Sequence, residues 1–260
     1  MNISRLFIED DLAAGAEVVL SEDHTHYLRR VMRREEGAPL LLFNGHDGEW
    51  QGTLALHGKS AASARVAGRT REQTVEPDIW LCFAPVKRAR IDYIAEKATE
   101  LGASVLQPIL TRHTVVERVN IDRLRANAIE AAEQTERLSV PDVRPPVELK
   151  RLLDHWPAGR RLLICDETGA GPPIASALAA LDAEAKAAPW AIVIGPEGGF
   201  AQEELQSLRA MLGVVPVGLG PRILRADTAA LAALACWQSL LGDWQKPTPR
   251  LAVDYRTSRG

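Results

Sequence analysis

The sequence predicts an α/β protein in which a β-rich N-terminal region precedes a parallel sheet covered by helices. Over the first ~75 residues, short apolar runs alternate with polar positions and turn residues, a pattern typical of β-strands. From residue 79 onward, apolar runs of strand length alternate with segments whose apolar residues recur every three or four positions. Such alternation of strands and helices is typical of a parallel sheet with helices on both faces.

The N-terminal region contains short predicted strands and one helix. The turn GHDG, at residues 45–48, joins two of these strands as a hairpin. A polar stretch ending in Pro77 follows, and we place a boundary there between two domains, residues 1–74 and 75–250. The predicted strands are RLFIE, AEVVLS, PLLLFN, EWQGTLAL and SAASARVAG, and the helix is HTHYLRRVMR.

The C-terminal region contains the predicted parallel sheet and its helices. Its first helix begins at Pro85 and ends at Gly102, and its last runs from about Asp227 to about Trp244. The Ala-rich run over residues 175–188 predicts one helix. The predicted strands are IWLCFA, SVLQPIL, RLLIC, WAIVI and VVPVGL, and two further helices contain the stripe from Ile121 to Leu138 and the segment QEELQSLRAML.

Two strand exits carry unusual sequences. IGPEGGF continues the strand WAIVI, and GLGPRILRADTA continues VVPVGL. Gly198 and Gly199 can both adopt positive φ and let main-chain groups approach a ligand closely. Parallel sheets bind ligands at the carboxyl ends of their strands. We therefore expect the two strands to be neighbours and their loops to hold a ligand. Neither loop is GxGxxG, so a dinucleotide site is not favoured.

Composition and spacing exclude several classes of protein. The net charge of −3 gives no overall basic signal for nucleic acid, although local patches remain possible partners for it. The three cysteines form no CxxC pair, which predicts buried thiols in a reducing compartment. The histidines have no zinc spacing, so we expect no metal. The N-terminus is not a signal peptide, and no apolar run reaches the ~20 residues that span a bilayer. We expect a cytoplasmic protein without membrane contact.

Arginines cluster on the short predicted helix. Like charges spaced four residues apart on a helix repel each other, so an external anion such as RNA is a reason for the cluster, and a solvated face is the alternative. The four residues are Arg29, Arg30, Arg33 and Arg34. Further candidates for RNA contact, with the same alternative, are Arg5, Lys97 and Arg137.

Several motifs together resemble the bacterial ribosomal RNA small-subunit methyltransferase E family. They are GPEGGF, LGPRILRADTA, EKATELGA and AAEQTERL, with SRLFIE and HYLRRVMRREEG near the start. The resemblance extends from Arg5 to about Trp244, and GPEGG combined with LGxRILRxxTA is specific. Members are SPOUT-superfamily enzymes that methylate N3 of a uridine in 16S rRNA. The resemblance implies a SPOUT-type parallel sheet with a deep trefoil knot, which is a rare exception to un-knotted topology, and a small N-terminal PUA-like β-barrel.

The resemblance also implies a cofactor, S-adenosyl-L-methionine, a homodimer, and 16S rRNA of the small ribosomal subunit as partner. Asp227 and Arg88 depart from the family pattern, in which glutamate and glycine are common, and the second departure affects RNA contacts near Lys87. Carried over by position, the cofactor-binding residues are Glu167, Ile194, Gly195, Pro196, Glu197, Gly198, Gly199, Leu219, Gly220, Ile223, Leu224, Arg225 and Thr228.

Uracil N3 is a weak acid, so its methylation requires that the N3 anion be formed or stabilised. A positive charge held beside that anion stabilises it. Arg225 is the candidate for this role because it lies in a predicted cofactor loop. No residue stands out as a general base. Two alternatives stay open: a SPOUT methyltransferase that acts on transfer RNA or another rRNA position, and a non-catalytic RNA-binding module with vestigial cofactor loops.

Overall fold

The computed structural model describes residues 3–58, 60–116, 118–166, 168–169 and 171–246. Glu167, one of the predicted cofactor-binding residues, lies outside the described residues. Within these residues, no helix has the length and apolar character needed to cross a membrane.

The N-terminal sheet has five strands that pair in the order β1-β3-β4-β5-β2. β1 runs parallel to β3, and the other neighbours are antiparallel. Inward-facing leucines such as Leu40, Leu42 and Leu54 are fully buried and form the core of this region. The strands are β1 (Ser4–Phe7), β2 (Glu17–Val19), β3 (Pro39–Phe43), β4 (Glu49–His57) and β5 (Ala61–Arg71).

The predicted helix over residues 24–33 is shorter than expected and irregular. α1 covers Glu22–His26, with Ser21 as its N-cap, and a π-helical turn covers Tyr27–Val31. Arg33 lies beyond the helix with φ of 50°, in the left-handed region. The predicted helical i, i+4 spacing of the four arginines is therefore wrong, because the chain has left the helix before it reaches Arg33.

The C-terminal sheet is entirely parallel and has the order β12-β10-β11-β6-β7-β8, with β9 also paired to β7. The predicted α/β class with a parallel sheet is confirmed. The strands are β6 (Ile79–Phe83), β7 (Val105–Leu110), β8 (Asp142–Val143), β9 (Val147–Glu148), β10 (Arg161–Cys165), β11 (Trp190–Ile194) and β12 (Val214–Val217). β5 ends at Arg71 and β6 begins at Ile79, while the exact domain boundary stays a prediction.

Helices cover both faces of this sheet because its strands are apolar on both sides. In β6, Leu81 packs in one buried cluster with Leu234 of the last helix, whereas Cys82 packs in another with Leu208. The helices are α2 (Arg88–Glu100), α3 (Ile121–Gln134), α4 (Leu149–Asp154), α5 (Ile174–Ala179), α6 (Ala183–Ala187), α7 (Gln202–Arg209) and α8 (Ala226–Leu240).

Several predicted helices differ from those observed. The Ala-rich run is two short helices, α5 and α6, because Asp182 caps a new helix by accepting a hydrogen bond from the Ala185 amide at 2.7 Å. The last helix ends at Leu240, and a short 3₁₀ turn follows at Asp243–Gln245. α3 ends before Leu138, at a turn in which Glu136 has φ of 60°. The periodicity of apolar residues did not predict β8, β9 and α4, because these elements are too short to show one.

The segments that follow β10 and β12 stay in close contact beyond the ends of the paired strands. The Asp166 amide donates to the Val217 carbonyl at 2.8 Å, and the Gly218 amide donates to the Pro172 carbonyl at 2.8 Å. A Cβ atom on Gly171 would lie 2.6 Å from the Val217 carbonyl carbon, so only glycine permits this approach. The trefoil knot stays a prediction.

Candidate functional site

Three strand ends carry the loops of the candidate site. β10 lies between β11 and β12 and pairs with both. The expectation that the strands before the two glycine-bearing loops are neighbours is therefore wrong. The correction brings a third loop, residues 166–173, between the two predicted ones. All three loops leave the carboxyl edge of a parallel sheet, where such folds bind ligands.

The first loop, residues 195–200, is shaped by its glycines in different ways. Gly199 has φ of 71° and its amide donates to the Pro196 carbonyl at 2.9 Å, which closes a tight turn. Gly198 is exposed and does not have a positive φ, contrary to expectation for the pair. A Cβ atom on Gly195 would lie 2.9 Å from the Phe200 ring, so this glycine allows the ring to pack under the loop.

The loop after β7 holds the first loop in place from outside. His113 Nδ1 lies 3.2 Å from the Gly198 carbonyl oxygen and 3.0 Å from the Gly199 carbonyl oxygen. Carbonyl oxygens only accept, so Nδ1 carries the hydrogen in these contacts. Glu204 joins the same two loops, because its carboxylate accepts from the Arg112 amide at 2.8 Å and from the Ala201 amide at 2.9 Å.

The second loop, residues 218–225, is open to solvent. Gly220 has φ of 98° with open space at its Cβ position, and the Ile223 side chain is fully exposed. Arg225 is exposed and is the N-cap residue of α8. Leu219 and Leu224 are half-buried, and Thr228 in the first turn of α8 is exposed. The loop thus presents main-chain groups, an apolar side chain and a cation at one helix N-terminus.

Arg90 of α2 stands between the first and second loops. Its guanidinium lies 3.9 Å from a carboxylate oxygen of Glu197 and 3.9 Å from one of Asp227. The contacts are long and half-exposed, so each pair contributes little by itself, on the order of 0–1 kcal/mol. Their importance is positional, because one cation links both predicted cofactor loops. Aspartate at position 227 therefore has a charge partner in Arg90.

The third loop is anchored by Asp166 at its start. Burial raises the pKa of this carboxyl, but hydrogen bonds from Thr168 and the charge of Arg209 outweigh that effect and hold the pKa below its usual value. Asp166 accepts from the Thr168 amide at 2.9 Å and pairs with the Arg209 guanidinium of α7. The loop that contains Glu167 is therefore attached to the helix that follows the first loop.

The N-terminal arginine cluster lies on the surface, with individual environments. Arg30 and Arg33 are exposed. Arg29 Nη1 donates to the Gly58 carbonyl at 2.7 Å, in the turn between β4 and β5, and Arg34 Nε donates to Ser4 Oγ at 3.1 Å. The cluster is thus fixed at two points and open at the other two.

The other predicted RNA-binding residues have internal partners. Arg5 is 8% exposed, and its guanidinium contacts Glu49 and the main-chain carbonyls of Ala132 and Arg137. The side chain of Arg137 is 8% exposed and pairs with Glu76. These positions join the two sheets and offer no free charge to a phosphate, so we leave Arg5 and Arg137 out of the RNA surface.

Lys97 is also engaged. Its ammonium lies 2.7 Å from a carboxylate oxygen of Glu100 and 2.6 Å from one of Glu96, and these hydrogen bonds raise the pKa of Lys97 above its ordinary value. Its side chain is 29% exposed. Two carboxylates beside one ammonium leave a net negative environment, which repels RNA.

One group of potential metal ligands exists among the described residues: Asp11, His46 and Asp47. Asp47 already accepts hydrogen bonds from the Leu12 amide and the Asn44 side chain. The Asp11 hydrogen bond raises the pKa of His46, which favours the imidazolium and an ordinary ion pair. The group lies in loops of the N-terminal sheet and contains no residue of the three strand-end loops.

Comparison with known proteins assigns both parts of the chain. A family described as the RNA methyltransferase domain matches residues 74–238, and one described as the RNA methyltransferase PUA domain matches residues 20–66. Ribosomal RNA small subunit methyltransferase E of Rickettsia conorii is 32% identical over 241 residues, which cover 90% of this chain and 95% of that protein. The chain belongs to the ribosomal RNA small-subunit methyltransferase E family.

Other family members and solved structures agree. The Bacillus subtilis methyltransferase E is 29% identical over 244 residues, covering 90% of this chain and 95% of that protein. A crystal structure of methyltransferase E from Neisseria gonorrhoeae bound to S-adenosyl methionine has 27% identity and a TM-score of 0.82, and it covers 94% of this chain and 100% of that chain. A putative methyltransferase of Legionella pneumophila in complex with the same cofactor has 27% identity, a TM-score of 0.81 and the same coverage.

Four residues that hold the strand-end loops in place have no signal in the sequence. His113, Arg90 and Arg209 each contact a strand-end loop from an element distant in sequence, and Glu204 joins the start of α7 to the distant loop after β7. Their contacts depend on strand order, which the sequence does not state.

Proposed function

We propose that this chain transfers a methyl group from S-adenosyl-L-methionine to N3 of a uridine in 16S rRNA of the small ribosomal subunit. The observation that carries the proposal is the meeting of three loops at adjacent strand ends, two of them with the motifs of the methyltransferase E family. The relative from Neisseria gonorrhoeae, with a similar fold, has S-adenosyl methionine bound. Ribosomal RNA as substrate also supports a cytoplasmic location.

The residues present suit this cofactor. Adenine and the methionine carboxylate and ammonium offer donors and acceptors, which main-chain groups of glycine-lined loops can meet at close range. Gly198 and Gly220 are exposed, with no backbone atom near their Cβ positions, and Ile223, three residues after Gly220, is a fully exposed apolar side chain. The cofactor, when bound, supplies a methyl group activated by its positive sulfur.

Arg225 is the proposed catalytic residue. It stands at the N-terminus of α8, where unpaired amides and the helix dipole add to its positive charge. A cation held there favours the N3 anion of uracil over the neutral base, so it lowers the barrier to methyl transfer. The N3 proton leaves to solvent or to a base that comes with the substrate complex.

The proposed RNA surface is the arginine cluster of the N-terminal region, Arg29, Arg30, Arg33 and Arg34. Phosphate contact suits it better than base readout, because exposed and flexible cations fix no base edge. Neutralising Arg30 and Arg33 should weaken binding of matched and mismatched RNA alike. It should also flatten the log–log salt dependence by roughly 0.7–0.9 for each phosphate that no longer has a cation beside it.

We also propose a homodimer. Leu234 and Trp237 of α8 are buried within the monomer and cannot contribute to a dimer interface. Ile223 and Trp244, just before and after α8, remain exposed and are the better candidates for a partner surface. A monomeric mass at micromolar concentration by sedimentation would contradict this proposal.

The decisive experiment combines cofactor binding with mapping of the methylated base. Gly198→Val places a branched side chain where a Cβ atom would already lie 3.3 Å from His113 Cβ. Because the site is exposed, we expect a folded protein with S-adenosylmethionine affinity at least ~10-fold weaker by calorimetry. Gly68→Val is the control, since Gly68 has open space around its Cβ position and lies in β5.

Labelled methyl transfer to ribosomal subunits, followed by mapping, tests the substrate. Label at N3 of a 16S uridine supports the proposal. Label on transfer RNA or another rRNA position replaces it with a different methyltransferase activity. Absence of cofactor binding by the unmodified protein indicates a non-catalytic RNA-binding module.

A further inference from the structure

A groove in the N-terminal region lies beside the arginine cluster, between α1 with its π-helical turn and the turn that joins β4 to β5. It encloses about 330 Å³. Its lining combines cations, a hydroxyl-bearing side chain and one carboxylate. The lining residues are Glu22, Thr25, His26, Arg29, Arg30 and Ser60.

Thr25 is the unusual member of this lining. It is 3% exposed, and its Oγ1 has no hydrogen-bond partner among the described residues. A threonine in a helix commonly satisfies its hydroxyl with the carbonyl four residues earlier. Here the Ser21 carbonyl accepts the ordinary helical hydrogen bond from the Thr25 amide, at 2.9 Å, and Oγ1 does not add a second one. A buried hydroxyl without a partner destabilises the free protein, so an acceptor supplied from outside would remove a real cost.

The charges around the groove identify the kind of acceptor. Arg29 and Arg30 line it, and Arg30 is exposed. Arg29 is held in position by its bond to the Gly58 carbonyl. Two guanidinium groups beside a hydroxyl donor match a phosphate oxygen, because arginine and hydroxyl groups both donate to it. The exposed carboxylate of Glu22 is the one feature that opposes an anion.

We propose that this groove binds a single phosphate of the RNA backbone, with Thr25 Oγ1 donating to one phosphate oxygen while Arg29 and Arg30 supply the charge. The inference rests on the proposed function. It assigns one phosphate contact of the arginine cluster to this groove. Thr25 Oγ1 is shielded from water in the unbound chain. The proposal therefore requires that side chains lining the groove move when RNA binds.

The central test is Thr25→Val, which removes the hydroxyl and keeps the shape. Binding of a 16S rRNA fragment, followed by fluorescence anisotropy, should weaken by about tenfold. The salt slope should stay unchanged because no charge is removed. The melting temperature of the free protein should rise by about 2–4 °C, because the unpartnered buried hydroxyl is gone. Thr25→Ser keeps the hydroxyl and should retain RNA affinity.

Two variants that change the charge of the groove should change RNA affinity in opposite directions. Arg30→Gln should weaken RNA binding and lower the salt slope by roughly 0.7–0.9. Glu22→Gln should strengthen RNA binding, since it removes the carboxylate beside the phosphate. Cofactor affinity should remain unchanged in all four variants, because no groove residue belongs to the strand-end loops.

The outcomes separate this inference from the proposed function. Unchanged RNA affinity in Thr25→Val, or a lower melting temperature, overturns the inference, since the second result means that the hydroxyl has an internal partner. Binding of uridine monophosphate with the same dependence on Thr25 overturns the assignment to the RNA backbone and indicates a mononucleotide site. A wild-type protein that neither binds nor methylates rRNA refutes the proposed function itself.

Discussion

Arg5→Met should destabilise the protein far more than the removal of an ordinary ion pair. Arg5 Nε donates to Glu49 at 2.7 Å, and its two terminal nitrogens donate to the carbonyls of Ala132 and Arg137 at 2.7 and 2.6 Å. The guanidinium also lies 3.7 Å from the centre of the Phe43 ring. This one side chain from β1 therefore joins the N-terminal sheet to the end of α3.

The magnitude follows from burial. The side chains of Arg5 and Glu49 are 6% and 5% exposed, so removing the cation leaves a buried carboxylate. Breaking such a pair from one side costs roughly 3–5 kcal/mol. Thr70 and Arg71 still contact Glu49 and limit the destabilisation, while two carbonyls are left without their donor. We expect ~4 kcal/mol, which corresponds to a melting temperature lower by about 8–16 °C.

The assay is thermal and denaturant unfolding, with Arg125→Met as the matched control. Arg125 also joins the two regions, since its Nη2 lies 2.7 Å from Glu9 Oε1, but the side chains are 54% and 76% exposed. That pair should contribute no more than ~1 kcal/mol. Equal destabilisation in the two variants would refute the argument from burial. A lower RNA salt slope in folded Arg5→Met would restore Arg5 as a phosphate contact.

Two further predictions concern single side chains. His113→Ala should weaken S-adenosylmethionine binding in calorimetry by about tenfold. His113→Asn should largely restore it, because the amide can replace Nδ1 as donor to Gly198, and equal weakening in both variants would contradict this role. Burial raises the pKa of Glu133 to about 7. The folded state therefore binds its proton more tightly than the unfolded chain, and stability falls as pH rises from about 4.5 through 7. Glu133→Gln should be more stable than wild type by ~2 kcal/mol at pH 8 and nearly equal at pH 4.5 in urea titrations, and parallel pH profiles would contradict the assignment.

The sequence predicted what depends on local chemistry. Strand runs such as WAIVI are apolar at every position because both faces are covered, and the structure has this strand at the predicted residues, Trp190–Ile194. The turn after it was also predictable, because its proline and glycines mark a turn in the sequence. Strand order could not be predicted, because a buried apolar strand does not indicate which other buried strand pairs with it. That missing information is why the position of β10 between β11 and β12 was not predicted.

Arg5 shows the same limit for single side chains. An arginine near the N-terminus is usually exposed, so a charge count favoured a contact with RNA. Its burial depends on carbonyls at residues 132 and 137, which no local pattern links to position 5. The prediction of one regular helix over residues 24–33 was wrong for a different reason. The spacing of apolar residues does not distinguish an α-helix from an α-helix that continues into a π-helical turn.

The anchors of the three loops explain how a glycine-rich site can be both open and ordered. The first and second loops contain glycines, which alone would leave the loops mobile and costly to order on binding. His113, Arg90 and Arg209 hold the loops from elements that belong to the packed sheet and its helices. Order is thus imposed from behind each loop, while the front keeps its main-chain groups accessible. Cofactor affinity should consequently depend on residues that never touch the cofactor, and removal of an anchor should weaken binding without unfolding the sheet.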